Sequence, residues 1–312
     1  MKATLLLPAS RRFGAQSLSP EVARALGRAD RLPVVAEGRR ALLSRHFRLL
    51  PNGWPVAALT READAGDAAG AIWLRADPCH VLPDINGARL LAHGESLALT
   101  REDVDALLPP LRPIFGDAGV PIDAPTPSRW YLRLPTGSIP PDFSEPDDAL
   151  GTDVFDHLPG GSADGRRWRT LLSEAQVVLH NHPWNARRVE QGKPAVNSLW
   201  FWGGGALPDR VQSPHTRYAG DDETGISLAH AAGILAPPRE RFEAGEGDVA
   251  FDLVATRDLA ALEREWLAPA LAALRDGQLE ALGLDSEDGV RRVLHRSHRW
   301  RFWRSPLAGP SV

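Results

Sequence analysis

Apolar positions along the chain fall into two patterns, short bulky runs suited to strands and three-to-four-residue spacings suited to helices. Ala3 to Leu7 is an apolar strand, followed by helical spacing over Pro20 to Leu26 and over Gly38 to Leu50, the second with Leu42, Leu43 and Phe47 on one side. Strands are predicted at Ala71 to Leu74, Ala88 to Leu91 and Leu97 to Leu99. A helix then opens at Thr100, where Asp103 three residues on makes a near capping box with Asp for the usual Glu. Its buried stripe is Leu107, Leu108, Leu111 and Phe115, and Pro109-Pro110 must kink or end it. Arg129 to Leu134 is a further strand. The second half predicts a helix around Arg167 to Leu179, a buried strand from Val196 to Trp202, a helix near Ser227 to Gly233, a strand from Val249 to Ala255, a long helix over Asp258 to Leu274 and a terminal hairpin. This alternation implies an α/β fold with a mixed, mostly parallel sheet flanked by helices. No internal repeat is visible. Residues 135–151, rich in Pro and acid, read as a linker or long loop between an N-terminal α/β region, 1–134, and a C-terminal α/β region, 152–312.

Composition narrows the classes. With 312 residues, 43% hydrophobic and 24% charged, the chain can bury a sizeable core as two domains or one large one. A net charge of −4 gives no overall electrostatic footprint for nucleic acid, which is an unexpected partner on this ground. The one cysteine, Cys79, excludes an internal disulfide framework and fits a reducing, cytoplasmic setting. No run approaches the roughly 20 apolar residues of a membrane helix, and Ala3 to Leu7 is too short for the core of a signal peptide. Lysine occurs only at Lys2 and Lys193, so arginine clusters carry less meaning here than in a chain that uses both.

The chemically densest stretch is His180 to Gly205, HNHPWNARRVEQGKPAVNSLWFWGGG. Its polar side chains are interleaved with apolar ones, as in the wall of a site. A helical pattern from about Trp168 through Val189 puts Asn185 and Arg188 three apart on one face. Gly192 and Pro194 break the helix, and Gly203-Gly204-Gly205 after the strand lets backbone N–H groups approach an anion. The expected ligand-binding set is His182, Asn185, Arg188, Lys193, Asn197, Gly203 and Gly205, with a small anionic or phosphorylated ligand. The glycine run lacks the register of a dinucleotide or phosphate loop and also reads as a sharply turning strand end.

The order Asn185-x-x-Arg188, Gly192-x-Pro194-x-x-Asn197, an apolar strand and Gly203-x-Gly205 resembles the archaeal-type cofactor-independent phosphoglycerate mutases, members of the alkaline-phosphatase-like metalloenzyme superfamily. Leu228-Ala229-x-x-Ala232-Gly233-Ile234 is similar to the helix that follows in those enzymes. Trp73 to Pro78, Arg129 to Leu132, Asn197 to Gly203 and Phe302-Trp303-Arg304 together resemble the RpfE-type bacterial regulatory proteins, described as phosphoglycerate-mutase-like. The resemblance implies a fold that is alkaline-phosphatase-like in part, and two divalent metals, Mn or Zn, wherever catalysis is kept. The mutase pattern has an Asp-Gly and a Ser or Thr nucleophile at the end of the first strand and a late Asp-His. Here that strand ends in Pro8-Ala9-Ser10. The expectation is therefore a protein without the two-metal centre and without a cofactor, acting by binding a ligand or a protein partner. No catalytic residue is assigned, and an active phosphomutase or phosphatase is the alternative.

Other constellations have structural readings. Asp285-Ser286-Glu287-Asp288-Gly289 reads as a hairpin turn, and Asp221-Asp222-Glu223 as acids at a helix start. His180 and His182 match no strong zinc spacing. Asp77-Pro78-Cys79-His80 with Asp84 is a weak nucleophile candidate, because adjacent strand residues point to opposite faces. The tail Arg291 to Arg304 holds six Arg and three aromatics with no acid. It is read as an edge strand burying Trp300, Phe302 and Trp303, with a nucleic-acid or protein interaction surface as the alternative.

Overall fold

The computed structural model describes residues 1–84, 87–158, 160 and 163–307. The chain divides into two compact units, Met1–Leu50 with Arg210–Val312, and Pro51–Asp209. The second is thus inserted into the sequence of the first. The stretch 135–151 is no boundary. It lies inside the second unit, where Phe143 meets Trp168 and Phe201 edge-on at 6.0 and 5.9 Å.

The first unit is built on a six-stranded sheet in the order Arg217–Ala219, Val249–Asp252, Lys2–Leu7, Ala281–Ser286, Arg291–His295, Asp30–Arg31. The first four strands run parallel and the last two are added antiparallel. Ala3, Leu5 and Leu7 enter one core with Val22, Leu26, Leu262 and Leu274, while Leu6, pointing the other way, is also fully buried. Burial on both faces is what a parallel sheet covered by helices requires. The mixed, mostly parallel sheet flanked by helices read from the alternation is therefore present in this unit. Helix Pro20–Gly27 starts at the Ser19 cap, whose hydroxyl accepts from Val22 N, and helix Glu223–Ala232 starts at the Asp222 cap. A two-stranded sheet pairs Arg48–Leu50 with Arg210–Gln212.

The second unit carries an antiparallel sheet. Its central strand, Ile72–Asp84, pairs with Gly87–His93, Tyr131–Leu134 and Ser198–Ala206, and Tyr131–Leu134 pairs with Ile122–Asp123. One face packs Leu74, Leu132 and Phe201 against Leu111 and Phe115 and against helix Ala163–His180 through Trp168, Leu172 and Leu179. Trp73 and Tyr131 on the other face meet Ala57 and Ala58 of helix Val56–Ala65. The Thr100–Asp103 capping box forms as read, and a 3-10 turn at Pro109–Leu111 separates the two helices around it.

Three local expectations change. Leu97 closes a 3-10 turn, Gly94–Leu97, followed by Ala98 at φ 47°, so no strand forms there. The helix expected over 168–189 is two, Ala163–His180 and Trp184–Glu190, because Pro183 cannot donate in a helix interior. The edge strand expected through 304 ends at His295, and Trp300, Phe302 and Trp303 are exposed. Among the described residues no helix is long and apolar enough to cross a membrane.

Candidate functional site

The expected ligand wall lies in the second unit, and its polar atoms are engaged by the protein itself. Asn185 donates from Nδ2 to Leu179 O at 2.8 Å and Val196 O at 2.9 Å, and its Oδ1 accepts from Val196 N at 2.8 Å. Arg188, 1% exposed, donates to Pro194 O and Leu97 O and forms an ion pair with Asp103 at 2.7 Å. Asn197 accepts from Val81 N at 2.8 Å and donates to Val81 O at 2.7 Å, replacing a strand neighbour where the sheet register shifts at His80/Val81. His182 Nδ1 accepts from Trp184 N at 3.2 Å, and burial pushes its imidazole down toward the neutral form that bond needs. Lys193 is half-buried and its N–H caps Arg188 O.

The glycines serve close packing. A Cβ on Gly203, at φ 66°, would lie 3.0 Å from Val56 Cβ, and one on Gly205 would lie 2.7 Å from Pro55 Cβ. Asn185, Arg188 and Asn197 tie two helices and a strand edge together, with Arg188 Nη1 held by the Asp103 ion pair and by no hydrogen bond of its own. The Cys79 candidate also closes, since burial pushes its thiol up to about 12. Beside it, Asp77 is engaged by Arg75 and by the Trp202 indole.

A second constellation was not visible in sequence and lies in the first unit, at the carboxyl ends of its parallel strands, where α/β sheets bind ligands. Ser10, just past strand Lys2–Leu7, donates from N and Oγ to Asp288 Oδ2 at 3.0 and 2.9 Å. Glu287 accepts from Ala9 N at 3.3 Å and lies 3.5 Å from Arg12. Burial holds its carboxyl above the usual range, against the pull of Arg12. Arg39, on helix Arg39–His46, bonds both Asp222, at 2.8 Å, and Asp252, which also accepts from the Tyr218 hydroxyl.

Arg45 forms a bidentate pair with Asp285 at 2.7 and 3.0 Å. His46 sets Nε2 3.0 Å from Asp285 and Nδ1 2.9 Å from His215 Nε2. Burial opposes the Asp285 charge, yet His46 and Arg45 outweigh it and hold this carboxyl below the usual range. Burial, then the neighbouring His46, push His215 down to about 4. His46 thus bridges Asp285 and His215 through its two ring nitrogens. Arg45 and His46 also line a 370 Å³ cleft with Arg48, Gln212 and Ser213.

These residues come from five separate stretches of the chain, 9–12, 39–48, 212–222, 252 and 285–288, so no spacing announces them. The nearest signal is Arg45-His46 at a helix end, directly before the strand Arg48–Leu50. The turn read over Asp285 to Gly289 does form, and Asp222 does cap a helix, but both also belong to this network. The two-metal centre of the resembled enzymes does not fit here. Asp252, Asp285 and Glu287 are each engaged by a guanidinium, Asp288 by the Ser10 hydroxyl and N–H, and among the described residues no group of three or more His, Cys, Asp or Glu is placed to hold a metal ion.

No protein-family model matches the chain. In part of its length it is similar to cofactor-independent phosphoglycerate mutases. It is 37% identical over 93 residues to the "Probable 2,3-bisphosphoglycerate-independent phosphoglycerate mutase" of Geobacter sulfurreducens, covering 29% of this chain and 23% of that protein. It is 41% identical over 63 residues to the 2,3-bisphosphoglycerate-independent phosphoglycerate mutase of Methanosarcina barkeri, covering 20% and 16%. The matches thus span less than a quarter of the length of these relatives. Among solved structures it is similar to the cofactor-independent phosphoglycerate mutase of Thermoplasma acidophilum, at 14% identity and a TM-score of 0.42, over 94% of this chain and 88% of that one.

Proposed function

We propose that the chain is a cytoplasmic, phosphoglycerate-mutase-related protein of the RpfE regulatory type that binds a small phosphorylated or carboxylated anion without a two-metal centre. The observation that carries this reading is the Arg39 guanidinium, bonded to Asp222 and Asp252 at the ends of the parallel strands. A fixed internal cation stands among carboxylates that a metal would otherwise gather. The ligand site is assigned not to the 182–205 segment but to the 370 Å³ cleft in the first unit, where Arg48 is exposed and the Asp285–His46–His215 chain reaches the wall. An anion there gains from Arg48 and from hydroxyl and amide donors at Ser213 and Gln212, while Arg45 keeps Asp285 neutralised.

The partial identity to mutases favours one second reading, an active metal-dependent phosphomutase or phosphatase. The test measures Mn and Zn in the purified full chain, turnover of 3-phosphoglycerate, and melting with and without that compound. The expected result is no stoichiometric metal, no turnover, and stabilisation of about 2.7 kcal/mol when the ligand is at 100 times its Kd, lost in Arg48→Ala. Two metals per chain together with turnover would replace the first reading by the second.

A further inference from the structure

The C-terminal aromatics form a surface that neither the core nor the strand-end site uses. Trp300, Phe302 and Trp303 are 59, 69 and 76% exposed. They lie on an arch fastened on both sides. Arg301 is bonded to Asp30 and to Arg28 O, and beyond the arch Leu307 is buried with its N–H on Ala23 O at 2.9 Å. Between these anchors Ser305 runs so close to Gly27 that a Cβ there would lie 2.1 Å from Ser305 O. The rings are therefore held out by the fold. Arg28 covers Phe302 at 5.3 Å and Arg299 lies over Trp300 at 4.9 Å.

Beside the arch runs a 690 Å³ groove between helices Pro20–Gly27 and Ala268–Asp276 and the segment after strand Arg291–His295. Arg24, Arg28, Arg275, Arg296 and Arg299 line it, against two acids, Glu21 and Glu263. Glu263 is already engaged by Ser19 N. In a chain with net charge −4 this is a local positive feature and not part of a general background.

We propose that this face binds single-stranded nucleic acid, with bases stacked on Trp300 and Trp303 and the phosphates led into the arginine groove. Exposed aromatics beside a cationic channel are the combination that single strands use without base pairing. The alternatives fit less well. A symmetric contact with a second copy would bring the same arginines face to face. A bilayer surface would leave a recessed groove unfilled, whereas a flexible polyanion fills it.

The experiment titrates the full chain with fluorescein-labelled dT20 and follows tryptophan quenching and anisotropy at several salt concentrations. Three to five phosphate contacts predict a slope of roughly −2 to −3.5 in log K against log salt, at about −0.7 per contact. Trp303→Ala should weaken binding about ten-fold or more with an unchanged melting temperature. Arg296→Glu should weaken it and flatten the slope. No binding at low salt, affinity indifferent to Trp303→Ala, tighter association with phosphatidylserine vesicles than with dT20, or a dimer abolished by Trp303→Ala would each overturn the proposal.

Discussion

Replacing Arg188 by Ala separates the two roles this residue has been given. As a ligand-binding residue on a site wall, its loss would reduce affinity for an anion and leave the fold intact. In the structure its guanidinium, 1% exposed, is paired with Asp103, itself 3% exposed, and bonded to Leu97 O and Pro194 O. Removing one partner of a buried pair leaves the other charge stranded, which costs about 3–5 kcal/mol. Against a typical fold stability of about 5–15 kcal/mol, and at about 2–4 °C per kcal/mol for a domain of this size, melting should fall by about 6–20 °C.

The acidity of Asp103 adds a second signature. Burial opposes its charge, but hydrogen bonds from Trp184, Arg188 and Thr100 outweigh it and hold the carboxyl below the usual range. An unfolded aspartate titrates near 3.9, so the stability from this group is present above about pH 4 and lost as the pH falls through the native value. The gap between Arg188→Ala and the wild type should therefore narrow on acidification below about pH 4. Urea and thermal melts of both proteins between pH 3 and 7 measure this. A variant within about 1 kcal/mol of wild type at pH 7 would refute the structural role and restore the ligand reading.

Cys79, with a thiol pushed up to about 12 by burial, should resist a thiol reagent at pH 8 in the native protein and react at once in denaturant. Glu287→Gln should leave unchanged or raise stability at pH 7. Burial holds the native carboxyl above its unfolded value, so its charge is a liability that disappears as the pH falls, and any advantage of the variant should vanish in acid. Gly225→Ala should destabilise by about 1–3 kcal/mol, because a Cβ there would lie 1.9 Å from the Tyr218 hydroxyl that bonds Asp252; a variant melting like the wild type would contradict that contact.

Local chemistry was legible wherever neighbours in sequence decide the outcome. The Thr100–Asp103 box, the Pro109-Pro110 interruption and the turn over Asp285 to Gly289 each rest on contacts within a few residues. The division of the chain was not, because nothing local records that Lys2–Leu7 lies between Val249–Asp252 and Ala281–Ser286. Proline and acid at 135–151 suggested a boundary, but Phe143 in that stretch is an anchor against Trp168 and Phe201. The tail misled in the opposite sense. Alternating Arg and aromatic residues fit a strand with one buried face, yet the chain turns after His295 and no partner strand covers Trp300 to Trp303 among the described residues.

The His180 to Gly205 segment shows why polar density alone points to a site only weakly. Each buried backbone carbonyl or N–H outside a regular ladder needs a partner, and an irregular junction of two helices and a strand edge leaves several. Asn185 serves three of them, Asn197 two and Arg188 two, so the density of polar side chains measures the irregularity of the junction. The strand-end cluster of the first unit inverts this. Its carboxylates, arginines and histidines bind mainly one another, ordinary hydrogen-bonding needs of the backbone explain few of them, and they converge where parallel strands end. Charge whose partners are other charges from distant segments is more costly to assemble than charge that caps the nearest carbonyl. That contrast is the physical ground for proposing the first unit, beside Arg45 and His46, as the ligand site, and for giving the residues around Asn185 a part in the fold.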